Sequence, residues 1–216
     1  MQELKYVYPL KKPEEQNNLV VEMLGLKGSA KTIMLLIFLY FAWRFQRKKV
    51  YTNFEVGFPH EKLDIQKLID LDVSLQNSAI GITEMHMICD ARKHGARQNL
   101  QMSYFVTQSR HRSVDLYYDT QFERQVDVRI RENTDINVIC ENLFLDTDND
   151  GLNDMYRIIV IDKRNPYSVP FERTLYLRAW YQLYNTDVII NPFTMKLIKR
   201  KKEDRIQDKL EFAKAY

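Results

Sequence analysis

The run Leu19-Val20-Val21-Glu22-Met23-Leu24-Gly25-Leu26-Lys27-Gly28-Ser29-Ala30-Lys31-Thr32 decides how this chain is read. An apolar stretch leads into a glycine-bearing loop that ends in Lys-Thr, and a second apolar stretch begins at Ile33. Strand, loop and helix in that order make a cradle for the phosphates of a nucleotide. Small residues let the backbone wrap a polyphosphate with its N–H groups pointing inward. Gly25, Lys27, Gly28, Ser29, Ala30, Lys31 and Thr32 are therefore the candidate nucleotide-binding residues. Lys31 brings a positive charge to the β- and γ-phosphates, and the Thr32 hydroxyl is the candidate Mg²⁺ ligand. The helix that follows turns its N-terminal dipole toward the same anion. ATP and Mg²⁺ are the expected cofactors, with hydrolysis as the expected chemistry. The pattern asks for Gly where Ala30 stands, and Ala gives up freedom at positive φ. A simple turn with Ser29 as helix N-cap is the plain alternative. The apolar run before the loop and the helix after it favour the phosphate cradle.

Composition fits one domain. The chain has 216 residues, enough to bury a real core. Its two cysteines, Cys89 and Cys140, are too few for a disulfide framework and too far apart for a metal site. Net charge is only +3, but basic residues gather at Arg44–Lys49, between Arg92 and Arg112, and from Lys196 to Lys202. Each cluster suits phosphates or, equally, a solvated helix end. The first residues are polar and charged, so no signal peptide is expected. The most apolar run, Ile33 to Trp43, is eleven residues long. A membrane span needs about 20, so this run is expected to be a helix buried against a sheet. No membrane partner is expected.

Further along, apolar strands and helices alternate. Strands are expected at Val50–Phe54, Ser78–Thr83, Val114–Tyr118, Ile136–Cys140 and Tyr156–Ile161. Helices are expected at Glu61–Asp70, Asp90–Gln108 with a bend near Gly95, and Phe122–Asp127. The fold class that follows is a three-layer α/β/α P-loop NTPase with a mostly parallel central sheet and an antiparallel hairpin extension. Residues 1–18 form an N-terminal segment, 19–192 the ATPase domain, and 193–216 a basic tail expected to be helical.

A phosphate cradle also needs a carboxylate at a neighbouring strand end. Ile80-Gly81-Ile82-Thr83-Glu84 ends in that way, which makes Glu84 the candidate base that activates water. The metal-associated Asp expected just before it is replaced by Thr83, with Asp119 on the next strand as a possible contributor. Asp119-Thr120-Gln121 closes that next strand, and the Gln121 amide is suited to sensing the γ-phosphate. The acidic run Asp146 to Asp154 has part of the spacing of a calcium loop, but Arg157 stands where a bidentate Glu belongs. A hairpin turn is the better reading. The four histidines show no metal-ligand spacing.

Asp90-Ala91-Arg92, Asn99, Ser103, Gln108-Ser109-Arg110-His111-Arg112, Thr120-Gln121 and Val126-Asp127-Val128-Arg129-Ile130-Arg131 together resemble the HerA/FtsK-type branch of P-loop ATPases. Compact viral ATPases that pump or package DNA, some labelled Zot-like, are the nearest members of that resemblance. Tyr181-Gln182-Leu183-Tyr184-Asn185-Thr186 is similar to a Tyr-x-x-Tyr-Asp-Thr element of such proteins, with Asn185 in place of Asp. The resemblance implies a ring of subunits, hexameric in such motors, that translocates double-stranded DNA without reading its sequence. It implies a capsid or portal-vertex partner and a place in the host cytoplasm or on the virion. It also implies an arginine supplied in trans, for which Arg110, Arg112, Arg129 and Arg131 are candidates and Arg131, then Arg129, are preferred. Lys93, His94 and Arg97 are candidates for lining a DNA channel. Two other readings stand beside packaging: a Zot-like ATPase of filamentous particle assembly or secretion, and a weakly hydrolysing ATP-binding scaffold.

Overall fold

The computed structural model describes residues 18–93, 96–146 and 153–184, together with the backbone of two short strands, Val188–Ile190 and Leu197–Lys199. The central sheet has β1 (Val20–Leu24), β2 (Lys49–Thr52), β3 (Glu61–Lys62), β4 (Ser78–Ile82), β5 (Asp115–Thr120), β6 (Ile136–Asn142), β7 (Met155–Asp162) and β8 (Phe171–Tyr176). Its order is β3-β2-β4-β5-β1-β6-β7-β8. From β3 to β6 every neighbour is parallel, while β7 and β8 add on antiparallel. The chain leaves β1, crosses to β2 three places away, and returns through β4 and β5. Crevices at the carboxyl ends of strands on either side of such a reversal are where open α/β sheets bind ligands.

Helix α1 (Lys31–Gln46) covers one face of the sheet. All of its residues from Ile33 to Leu39 are buried, because the sheet lies on one side and Phe58 and Trp180 pack edge-on against Tyr40 on the other. That double burial explains an apolar run with no polar stripe. Gly81 of β4 lets α1 approach, since a Cβ there would lie 2.5 Å from a Leu39 methyl. The opposite face carries α2 (Ile65–Ile69), α3 (Arg97–Gln108) and α4 (Val128–Glu132) over a second core containing Leu68, Met102, Phe105 and Ile130. No helix among the described residues is long and apolar enough to cross a membrane.

Several element boundaries differ from the pattern reading. Glu61 and Lys62 extend the sheet, and the helix is confined to Ile65–Ile69 because the Asp64 carboxylate caps it by accepting from the Gln66 N–H at 2.9 Å. The stretch Asp90–Gln108 is a 3-10 turn, Ala91–Lys93, followed by α3. His94 and Gly95, where the bend was expected, lie outside the described residues. No α-helix spans Phe122–Asp127. Residues Glu123–Gln125 make one 3-10 turn, and the helix begins after Asp127, whose carboxylate accepts from the Arg129 N–H at 3.0 Å. The capping acid thus places Arg129 and Arg131 inside the helix and not after it.

Strands β6 and β7 pair from Ile136↔Asp162 to Asn142↔Tyr156, so the acidic segment between them joins antiparallel neighbours. Asp154, one of the acids in the calcium spacing, is fully buried and pairs with Arg178 at 3.1 Å. Most of the loop, residues 147–152, lies outside the described residues. In the tail, Leu197–Lys199 pairs antiparallel with Val188–Ile190, so these three residues are strand where helix was expected. The remainder of 193–216, and residues 1–17, lie outside the described residues.

Candidate nucleotide site

The loop after β1 has a backbone that few residues adopt. Gly25 has φ 150° and Gly28 φ 80°. A Cβ on Gly25 would sit 2.3 Å from the Cys140 carbonyl oxygen. Ala30 also falls in the left-handed region, at φ 67°, immediately before the first helical residue. Here the loop demands what glycine supplies without strain, and alanine adopts it at a cost of about 1–2 kcal/mol. Lys27 and Gly28 are exposed, Ser29 is buried, and the Ser29 hydroxyl has no hydrogen-bond partner.

Lys31 is buried, and its ammonium donates to the Leu26 carbonyl at 2.9 Å, across the mouth of the loop. Thr32 donates its hydroxyl to Asp119 Oδ2 at 2.9 Å. The other oxygen, Asp119 Oδ1, accepts from the Glu84 backbone N–H at 2.8 Å. Asp119 therefore joins the helix start, the end of β5 and the end of β4. Burial pushes its pKa up to about 6, against the hydrogen bonds from Glu84 and Thr32 that favour the ionised form.

This arrangement revises the part assigned to Thr83. Its backbone N–H and hydroxyl both point to Asn53 Oδ1, at 2.9 and 3.4 Å, and its carbonyl accepts from the Asn53 amide at 3.1 Å. Thr83 is tied toward β2, away from Thr32, and does not stand in the place of a metal-side acid. The carboxylate beside Thr32 comes from Asp119, one strand over. Parallel pairing explains it: β5 lies between β1 and β4, so its last residues reach the mouth of the P-loop before those of β4 do.

Glu84 follows β4 with φ 54° and ψ 52°, an uncommon backbone for a non-glycine residue. Its carboxylate is about a third exposed and lies 3.4 Å from His86 Nδ1. Gln121 follows Thr120, whose β1 partner is Leu24, so it sits level with Gly25 and is partly buried. The structure thus gathers Lys31, Thr32, Asp119, Glu84 and Gln121 at one end of three adjacent strands.

The arginines divide. Arg129 is committed to Asp127, with Nε 3.0 Å from Oδ1 and a terminal nitrogen 3.1 Å from Oδ2. Asp127 is fully buried and also accepts from Asn99, whose amide donates in addition to the Asp90 and Lys93 carbonyls. The polar positions Asp90, Asn99, Asp127 and Arg129 therefore form one brace between α3 and α4. Arg131 is bound more loosely, by one bond from Nε to the Val126 carbonyl at 3.0 Å. Arg110 and Arg112 lie at the opposite end of the sheet. Arg110 pairs with Asp135, and Arg112 donates to the Leu71 and Asp72 carbonyls. Lys93 and Arg97 are exposed.

The residues fit a magnesium nucleotide. A hydroxyl and a carboxylate 2.9 Å apart at a helix start are hard oxygen donors for Mg²⁺. The Leu26 carbonyl that holds Lys31 is a contact a phosphate oxygen can replace. Asp119 is the residue the sequence reading undervalued. Its signal was present as an acid ending an apolar strand, but only strand order shows which acid meets Thr32.

No protein-family model and no curated protein matches the chain. Solved structures do. The N-terminal domain of zonular occludens toxin from Neisseria meningitidis is 18% identical, with a TM-score of 0.57 over 79% of this chain and 100% of that one. The genome packaging NTPase B204 from Sulfolobus turreted icosahedral virus 2, in complex with AMPPCP, is 8% identical. Its TM-score is 0.51, covering 72% and 97% of the two chains. The pCW3 conjugation coupling protein TcpA with ATPγS is 14% identical, with a TM-score of 0.52 over 74% and 61%. These likenesses agree with the resemblance drawn from Asp90 through Arg131. In its fold this chain is similar to these proteins, with an α/β sheet that is parallel from β3 to β6 and extended by an antiparallel hairpin.

Proposed function

We propose that the protein is an ATP-driven translocase of double-stranded DNA that packages a viral genome. The single observation that carries the nucleotide part is the Thr32–Asp119–Glu84 connection, closed over a loop whose lysine, among the described residues, is held by a carbonyl. Lys31 neutralises the β- and γ-phosphates. Thr32 and Asp119 hold Mg²⁺, which when bound withdraws charge from the phosphates. Glu84 orients and deprotonates the attacking water, and Gln121 senses the γ-phosphate. Arg131 of an adjacent subunit completes the site across a ring interface, because Arg129 is committed to its own brace. The DNA partner is supported by solved structures named for genome packaging, DNA packaging and conjugation coupling, and the capsid partner rests on the resemblance alone.

The test is ATP hydrolysis by the purified chain with and without double-stranded DNA, with Lys31→Ala and Glu84→Gln as controls. DNA-stimulated turnover that disappears in both variants is the expected result. Turnover indifferent to DNA would favour the second reading, a Zot-like assembly or secretion ATPase. That reading draws on the complete coverage of the zonular occludens toxin domain.

A further inference from the structure

A cavity of about 440 Å³ opens at the end of the sheet remote from the nucleotide loop. Its lining includes Trp43, Arg44, Arg47, Lys49, His60 and Glu61. The distance to the nucleotide site is set by α1, which starts at Lys31 and ends at Gln46. At 1.5 Å per residue the two sites are about 24 Å apart.

Many of the arginines elsewhere are neutralised where they stand. Arg92, Arg110, Arg129, Arg157, Arg164 and Arg178 each pair with a carboxylate. Among the described residues, no carboxylate pairs with Arg44, Arg47 or Lys49. Lys48 lies among them in sequence, but it turns inward to a buried bond with Asp115 at 2.8 Å. Three exposed cations without acid partners thus converge on one cavity, with Glu61 the sole acid in its lining. A cation near a helix C-terminus also answers the helix dipole, which accounts for Arg44. It does not account for Lys49, which begins β2 beyond the helix.

The basic character continues along the same edge. Arg112 precedes β5, two strands from β2, and its guanidinium rests on the Leu71 and Asp72 backbone carbonyls. At strand spacings of about 4.8 Å, this places a further cation about 10 Å along the edge. A single phosphate group is too small to span that distance, whereas a nucleic-acid backbone presents a charge every few ångströms.

We propose that this cavity is a second phosphate-binding site, separate from the P-loop, which seats the sugar-phosphate backbone of a nucleic acid on Arg44, Arg47 and Lys49. It rests on the nucleic-acid reading above for the class of ligand and on the geometry for its place.

The test uses the full chain and a fluorescein-labelled 20-base-pair duplex of mixed sequence, with binding followed by anisotropy across a salt series. Arg47→Gln/Lys49→Gln is compared with Arg173→Glu. Both change net charge by two units, and Arg173 lies on β8 at the other end of the sheet. The expected result is at least about tenfold weaker binding and a salt slope smaller by about 2 in the double variant alone. Basal ATP hydrolysis is expected to be unchanged in both. Equal losses in the two variants would overturn the site while leaving the DNA reading intact. Failure of the wild type to bind duplex would overturn both. Binding of tripolyphosphate or polyglutamate at this cavity, without duplex binding, would assign it to a free anion or an acidic protein and overturn the proposal.

Discussion

Ala30 is the residue where local chemistry and fold disagree most openly. It holds φ 67° at the junction of loop and helix, a position where the motif ordinarily has glycine. Ala30→Gly removes the left-handed penalty but enlarges the freedom of the unfolded chain, so the gain is expected to be about 0.5–1 kcal/mol. Urea unfolding of the two proteins measures it, and an unchanged or lower midpoint would refute the strain. Glu22 is the second such residue. It is fully buried in the middle of the central strand β1, and burial together with the Glu123 carboxylate pushes its pKa to about 7. A raised carboxyl pKa means that the folded state holds its proton longer than the unfolded chain. Its contribution to stability is therefore full below about pH 4.5 and is lost as pH rises to about 7. Glu22→Gln stays neutral throughout. Its Tm is expected to climb relative to the wild type between pH 5 and pH 8, and parallel Tm curves across that range would contradict the assignment.

At the scale of elements, the loop-to-helix transition after β5 separates two arginines that look equivalent in the sequence. Asp127 caps α4 and binds Arg129 through both oxygens, while Asn99 of α3 completes its shell. Arg129→Ala would leave a buried carboxylate without its cation, at a cost of about 3–5 kcal/mol. Arg131→Ala breaks one bond to a carbonyl and is expected to cost only about 1 kcal/mol of stability. If Arg131 acts across a subunit interface, its removal should lower turnover by at least about a thousandfold with ATP binding retained. Denaturation and single-turnover assays on both variants separate the two roles. A stable Arg129→Ala protein with lost turnover would exchange them. The same capping logic explains why hydrophobic period alone misplaced the elements around residues 61–70 and 122–127. Period marks which side chains face the core, whereas Asp64 and Asp127 fix where the helix begins.

At the scale of the whole molecule, three segments are tied together at the edge remote from the nucleotide. Asp115 at the start of β5 accepts the Lys48 ammonium at 2.8 Å and the Leu19 N–H at 3.0 Å, both fully buried. It thereby joins the end of α1 to the first strands of the sheet. Lys48→Met leaves Asp115 with its backbone donors, whereas Asp115→Ala strands a buried ammonium. Asp115→Ala is expected to cost about 3–5 kcal/mol and to be the more damaging of the two. Chemical denaturation of both variants tests the order, and a reversed order would show that the cation is not the costly partner. Because α1 connects this edge to the P-loop, loosening Lys48 is also expected to weaken nucleotide binding without touching the site.

What the sequence determined alone is what contiguous residues can encode. Gly25, Gly28 and the Lys31-Thr32 pair describe a loop conformation and its charge within eight positions. The apolar run from Ile33 to Trp43 describes a helix enclosed on all sides, and strand-like runs describe a sheet. Glu84 and Gln121 were legible as polar ends of such runs. Tertiary structure decided which strand ends meet. Thr32 and Asp119 are 87 residues apart, and they touch because β5 is inserted between β1 and β4. Thr83, adjacent to Glu84 in sequence, is turned instead toward Asn53 of the neighbouring segment. The physical reason is that strand order and register arise from long-range burial of both sheet faces, and no local pattern of residues specifies that order. The same holds for Arg47 and Lys49, which read as an ordinary basic helix end until the fold sets them around a cavity where, among the described residues, no carboxylate pairs with them.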